Sequence, residues 1–325
     1  MDLSDIYAPI KKGLAGVEGE LAKQVRTDNE FVSQLGTYVL GGTGKRLRPA
    51  LVLLSARSIS ENCQEQIVRL ASVVELVHTA TLVHDDVIDK AFVRRKQPSI
   101  NRQWGNEISI LFGDYLHSAA LGVLSRLNIP AVMSRLYPVI KDMCEGEIKQ
   151  FRMAFNPRLT EEEYFTIIRQ KTGLLCQFSC ESGALVAGGT SEQIRAFSDY
   201  GLGFGMAYQI LDDCMDLLGN EIKAEKSLGS DLREGKLTLS LIHLLKSVDK
   251  KNKEKILVAL KEENHRWIRA MLREQGSVCY ALDKARSYFE NGVKQLAGIT
   301  ESCYKECLTN LTTCCMDRVQ TMTVR

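Results

Sequence analysis

The chain has 325 residues, 45% hydrophobic and 25% charged, with a formal net charge of +2. That is ordinary for a globular chain with room for one large core, and it gives no global electrostatic case for binding nucleic acid or a membrane surface. No apolar run reads as the ~18 residues a membrane span needs, and the opening MDLSDIYAPIKKG has early acids and no apolar leader segment, so a cytoplasmic protein without stable membrane insertion is expected.

Apolar residues recur at helical spacing, alternating strand patterns are scarce, and no Asn-Gly or Asp-Gly hairpin signal appears. Helices are predicted near 18–40, 49–60, 64–90, 99–125, 130–155, 161–188, 191–219, 236–248, 251–263, 276–296 and 299–320. Pro49, Pro98 and Pro130 each suit a first helical position, Pro138 suits a kink, and no proline follows Pro157. LASVVELVHTATLVHDD and YGLGFGMAYQILDDCMDLLG are apolar on nearly every face until their acids, the pattern of a helix central to a large bundle. No linker divides the chain, so residues 1–325 read as a single all-α domain. The ten cysteines read as reduced, small apolar helix residues. Cys176 and Cys180, like Cys303 and Cys307, lie four apart, but no C-x2-C pair or histidine accompanies them.

Chemistry concentrates at the ends of the two apolar helices. DDVID stacks Asp85 and Asp89 on one helix face, with Asp86 beside them, and DDCMD repeats the device with Asp212, Asp213 and Asp216. One DDxxD on a polar helix would be solvated surface. Two copies, each closing an apolar helix, point to Mg²⁺, which takes hard oxygen ligands and shares them with water and phosphate. Cations supply the other half. GGTGKRLRPAL fails the P-loop pattern, because Val39 stands at the first glycine position and Arg46 follows the lysine. It still groups Lys45, Arg46 and Arg48 before a Pro-started helix, where free N–H groups favour anions. Arg94, Arg95, Lys171, Lys226 and Lys236 add further positive charge. Two metal sites and these cations suggest a cavity for two polyanions, one held through metal and one directly. His78 lies two turns before Asp85 and could reach that cavity, whereas His84 reads as a satisfied helix histidine. Too few histidines sit in suggestive contexts for a His-rich phosphohydrolase centre.

The segments GGTGKRLRP, LVHDDVIDKAFVRR, GDYLHSAA, EGEIKQF, KTGLL, YQILDDCMDLLG and GSDLREGKLTLSLI, in that order, resemble the trans-isoprenyl diphosphate synthases over roughly residues 25 to 245. The resemblance implies an all-α isoprenoid-synthase-type bundle around a deep central cavity, Mg²⁺ as cofactor, and a homodimer. It implies that Lys45, Arg48, His78 and Arg95 hold isopentenyl diphosphate. Asp85, Asp89 and Asp212 would bind Mg²⁺ on an allylic diphosphate, supported by Asp86, Asp213 and Asp216. Arg94, Lys171, Thr172, Gln209, Lys226 and Lys236 would contact the allylic substrate, with Lys171, Thr172 and Gln209 closest to the chemistry. Short-chain relatives often carry bulky aromatics just before the first acid set. Here Ala80 and Thr81 are small, and Leu76 and Val73 continue that face, with a floor sought near Leu136–Val139. A heptaprenyl to octaprenyl product for a quinone side chain is expected. The alternatives are a shorter farnesyl or geranylgeranyl product, a non-catalytic subunit of a heteromeric synthase, or a terpene cyclase, whose second metal motif would read N-D-x-x-S-x-x-x-E.

Overall fold

Helices follow one another through almost all of the computed structural model, which describes residues 2–42, 44–62, 64–95, 97–218, 229–262 and 264–323. The chain runs through α1 (Leu3–Tyr7), α2 (Lys11–Val25), α3 (Glu30–Leu40), α4 (Leu47–Arg57) and α5 (Gln64–Ile88). Strands β1 (Val93–Arg94) and β2 (Gln97–Pro98) precede α6 (Ile100–Trp104), α7 (Asn106–Leu127), α8 (Pro130–Arg152) and α9 (Glu161–Ile168). A π-turn (Arg169–Gly173) leads into α10 (Leu174–Val186) and α11 (Ser191–Leu218). Then come α12 (Ser230–Arg233), α13 (Leu239–Ser247), α14 (Lys250–Lys261), α15 (His265–Glu274), α16 (Ser277–Gln295) and α17 (Cys303–Thr323). The fold is all-α, as the periodicity implies.

Three predicted helices are interrupted, each for a local reason. The stretch 18–40 is two helices, because Asn29 caps α3 by accepting from the N–H groups of Phe31 and Val32. The stretch 99–125 breaks at Gly105, whose φ of +93° is readily reached only without a Cβ. The stretch 161–188 contains the π-turn. Before Gly105 lies a hairpin that no turn signal announces. Val93 pairs with Pro98 and Arg94 with Gln97, and the turn starts at Arg95 in the left-handed region with φ +50°. Pro98 therefore ends a strand instead of starting a helix.

The helices group into two compact units. The first comprises Met1–Tyr137, Phe178–Ser198 and Gly298–Leu311. At its centre α5 packs against α2, α4 and α7. Leu70, Val73, Val74, Leu76, Val77 and Ala80 of α5 have no exposed surface, and each large aliphatic side chain enclosed this way contributes about 1.5–3 kcal/mol. The second comprises Pro138–Gln177, Asp199–Ala297 and Thr312–Arg325, in which α13 packs against α9, α15 and α16. Two segments, Glu65–Ile88 and Asn106–Leu127, are in fact long and apolar enough to cross a bilayer by length and composition, contrary to the sequence reading. The first is a core helix, with 67% of its apolar window buried.

Arg46, grouped by sequence with the phosphate-binding cations, is instead a structural residue. Its guanidinium bonds Glu18 Oε1 at 2.5 Å, Glu75 Oε1 at 2.7 Å and the Leu40 carbonyl at 2.8 Å, tying the start of α4 to α2, α3 and α5. The cysteines follow the expectation in part: Cys176, Cys180, Cys214, Cys307 and Cys315 are buried free thiols, whereas Cys144, Cys279 and Cys303 are exposed, and burial pushes Cys214 up to about 12. Cys63 lies outside the described residues. Because the Glu75 side chain is 2% exposed and that of Glu18 is 48% exposed, the two pairs differ in energy. Glu75→Ala should cost ~1–3 kcal/mol by leaving the buried Nη1 donor of Arg46 unpaired, and Glu18→Ala less than ~1 kcal/mol. Urea unfolding of the two variants checks the ranking, and equal losses would contradict it.

Candidate active site

In the first unit the acids sit on the last turn of α5. The turn closes with Ala91 N–H donating to the Asp86 carbonyl at 2.9 Å and Lys90 N–H to the Val87 carbonyl at 3.3 Å, while Lys90 takes φ +50°. This is a left-handed helix stop without glycine. It leaves Asp85 and Asp89 half-exposed on one face and turns Asp86 inward, where it is 4% exposed. The hairpin then folds Arg94 back onto Asp86, with Nε and Nη2 donating to Oδ1 at 2.9 and 2.5 Å. Burial pushes the Asp86 carboxyl above its usual range, and the Arg94 charge pulls against that rise.

The cations of this unit gather around His78. Arg48 Nη1 lies 3.0 Å from His78 Nε2. Burial, followed by the charges of Arg48, Arg95, Arg94 and Arg46, holds the His78 imidazole well below its ordinary range. The ring is therefore neutral, and its Nε2 accepts from Arg48. Arg48 Nε is buried with no hydrogen-bond partner, and a buried donor left this way costs free energy. Arg95 packs under the glycine-rich segment. A Cβ on Gly44 would come within 2.9 Å of the Arg95 guanidinium carbon, so any larger residue there would displace the end of the Arg95 side chain. Lys45 is exposed, and its carbonyl accepts from Tyr7 Oη at 3.1 Å. Further back on α5, Thr81 is half-exposed and donates to the His78 carbonyl at 2.8 Å, whereas Ala80 and Leu76 are enclosed. His84 is satisfied away from the acids, 3.1 Å from the Ile110 carbonyl.

In the second unit the π-turn carries Lys171 and Thr172. Such turns widen the helix by one residue and redirect side chains. Lys171 Nζ pairs with Glu147 and bonds Gln150, both from the EGEIKQF segment of α8. Thr172 Oγ1 donates to Gln209 Oε1 at 2.6 Å, and Gln209 Nε2 donates to Asp213 Oδ1 at 2.8 Å. Tyr164 Oη donates to Asp213 Oδ2 at 2.7 Å. Burial and then the Asp213 charge push this phenol well above its ordinary range, so it stays protonated. Asp216 has no exposed surface; its oxygens accept from Ser230 Oγ and the Asp231 N–H, each at 3.1 Å. Asp212 stays half-exposed. Lys236 pairs with Glu234 at 2.6 Å, and Lys226 lies outside the described residues.

The structure thus brings Arg48 to His78, Arg94 to Asp86, and Thr172 through Gln209 to Asp213. Sequence reasoning missed Tyr164, Glu147 and Gln150. Tyr164 lies seven residues before Lys171, two helical turns, which is the only signal that could have found it. Glu147 and Gln150 sit in a segment that sequence analysis singled out without assigning roles.

The chain resembles known proteins over most of its length. Residues 29–274 match the family model described as polyprenyl synthetase. Among curated relatives, the octaprenyl diphosphate synthase of Haemophilus influenzae is 32% identical over 322 residues, covering 98% of each chain. The heptaprenyl diphosphate synthase component 2 of Bacillus subtilis is 36% identical over 251 residues, covering 77% of this chain and 72% of that protein. The polyprenyl synthase of Caulobacter crescentus CB15, solved with calcium and isoprenyl diphosphate, superposes with a TM-score of 0.93 at 29% identity, covering 98% of both chains. A decaprenyl diphosphate synthase from Rhodobacter capsulatus gives 0.92 at 28% identity, covering 98% of this chain and 99% of that one. With the paired acid sets, the π-turn lysine and the match over most of its length, the chain belongs to the polyprenyl synthetase family of trans-prenyltransferases.

Proposed function

We propose that the protein joins isopentenyl diphosphate head-to-tail to an allylic diphosphate and repeats the step to heptaprenyl or octaprenyl length, working as one catalytic domain in the cytoplasm. The observation that carries this reading is a buried donor beside α5: Arg48 Nε has no hydrogen-bond partner, and a directly held diphosphate answers it. On α5 itself Asp85 and Asp89 stack half-exposed on one face, where a metal-bound diphosphate suits them. The donors are hard oxygens, and among the described residues no three Asp, Glu, His or Cys side chains converge on one point. Both facts fit Mg²⁺, which accepts one or two carboxylates and fills its octahedron with water and substrate phosphate. The Caulobacter crescentus relative, solved in complex with calcium and isoprenyl diphosphate, supports a divalent ion.

In this reading Asp85, Asp89 and Asp212 hold the metal, and Asp86, Asp213 and Asp216 support them. Lys45, Arg48, His78 and Arg95 hold isopentenyl diphosphate. Arg94, Lys171, Thr172, Gln209, Lys226 and Lys236 face the allylic substrate. The bond between allylic carbon and oxygen breaks, and its electron pair leaves with the diphosphate. When bound, Mg²⁺ supplies Lewis-acid stabilisation of that leaving group, and the fixed Arg and Lys charges add to it. The isopentenyl double bond then forms the new carbon–carbon bond, and a proton departs to the released diphosphate. No Ser, Cys or His nucleophile is needed. The half-exposed Thr81, a small side chain one turn before Asp85, supports a long product. The exposed Ile110, Leu111 and Leu121 of α7, at 47, 64 and 49% exposure, support a homodimer through this face.

Purified protein, labelled isopentenyl diphosphate, an allylic primer and Mg²⁺ test the reaction, and reversed-phase chromatography reads the chain length. Failure to lengthen the primer would remove the proposal, and a cyclic hydrocarbon product would favour a cyclase. Asp85→Ala and Asp212→Ala should each lower turnover at least ~100-fold, as for loss of a preorganised charge-stabilising group, with helicity retained by circular dichroism. Arg48→Ala should raise KM for isopentenyl diphosphate more than KM for the allylic substrate. A rise confined to the allylic KM would mean the two sites are exchanged. A Leu111→Glu, Leu121→Glu variant should sediment as a monomer where the parent is a dimer, because charge in an apolar interface goes unpaired.

A further inference from the structure

The second acid set contains a hydrogen-bond chain that the reaction as described leaves without a purpose. Tyr164 of α9 is 3% exposed, and its hydroxyl donates to Asp213 Oδ2 at 2.7 Å. The other carboxylate oxygen accepts from Gln209 Nε2 at 2.8 Å, and Gln209 Oε1 accepts from Thr172 Oγ1 at 2.6 Å. The direction of each link follows from its atoms: an amide NH₂ group only donates and an amide oxygen only accepts, and Gln209 turns its NH₂ group to Asp213 and its carbonyl oxygen to Thr172. Thr172 then gives its one hydrogen to Gln209, and only lone pairs remain to face a ligand.

We propose that Tyr164 is a positioning residue that keeps this chain in one polarity, so that the Thr172 hydroxyl meets the allylic substrate solely as an acceptor. The proposal rests on the reading that Thr172 faces that substrate. An acceptor held there stabilises positive charge as it grows on the allylic carbon, and it needs no reorientation during the step. The phenol anchors the far end. Asp213 is 8% exposed, and a buried carboxylate oxygen that loses a donor turns to find another. Once Asp213 turns, the Gln209 amide is free to flip. A flipped amide offers its NH₂ group to Thr172, whose hydrogen then points at the substrate and opposes the developing charge.

Tyr164→Phe removes one oxygen and keeps the ring. Tyr164→Phe, Thr172→Val and the double variant are compared by kcat, by KM for each substrate and by calorimetry with Mg²⁺ present. The calorimetric probes are two unreactive allylic diphosphate analogues, one with a protonated amine at the reacting carbon and one thiodiphosphate uncharged there. Tyr164→Phe should lower kcat roughly 10-fold, leave KM for isopentenyl diphosphate within about 2-fold, and reduce the preference for the amine analogue at least ~5-fold. The double variant should lose no more than Thr172→Val alone, because coupled residues are not additive. Losses that multiply in the double variant, or an unchanged amine preference in folded Tyr164→Phe, overturn the proposal. Gln209→Met cuts the middle link and leaves both ends intact, so it should reproduce the lost preference. A retained preference there overturns the proposal even if Tyr164→Phe does not fold. Wild-type protein that makes no product would overturn the functional reading, whereas an active wild type with an unaffected Tyr164→Phe overturns only the role of Tyr164.

Discussion

A carboxylate that leaves water needs a counter-charge or several donors, and both acid sets are built on that requirement. In the first, the buried member is Asp86, and Arg94 reaches it with two N–H groups. In the second, the buried members are Asp213, held by Tyr164 and Gln209, and Asp216, held by Ser230 and a backbone N–H. The half-exposed members, Asp85, Asp89 and Asp212, are then carried on a frame whose buried acids already have their donors. A set in which every acid was buried could not offer ligands, and one in which every acid was solvated would lack fixed geometry.

The cations obey the same logic through backbone shape. Arg46, Lys90 and Arg95 all take positive φ, and a residue with a Cβ incurs roughly 1–2 kcal/mol in that region. All three flank the first acid set or the segment leading into α4. Strain concentrated this way belongs to segments whose geometry the surroundings dictate. Here it returns Arg94 to Asp86, seats Arg95 beneath Gly44, and lets Arg46 bind Glu18 and Glu75 together.

Periodicity made the helices legible, because long apolar faces at spacings of three and four admit few alternatives. The acid sets were legible because a repeated motif at the ends of apolar helices is rare by chance. What escaped was whatever depends on contact between distant segments. The hairpin is held by the Arg94–Asp86 pair, a contact between separated segments that no Asn-Gly announced. Arg46 sat among phosphate-seeking neighbours in sequence, and only the fold brings Glu75 to it. Tyr164 looked like any aromatic on an amphipathic helix until Asp213 appeared opposite its hydroxyl.

The π-turn at Arg169–Gly173 has a consequence for how the chain can evolve or be engineered. An α-helix advances 100° per residue, following its 3.6 residues per turn, so one residue more or fewer rotates everything beyond it. Deleting a single residue from the turn would restore regular helical bonding locally. It would also swing α9 and α10 out of phase, parting Tyr164 from the acid it holds or Thr172 from Gln209. The irregularity is a phase-setting element: α9 and α10 keep separate angular settings because the helix between them is imperfect.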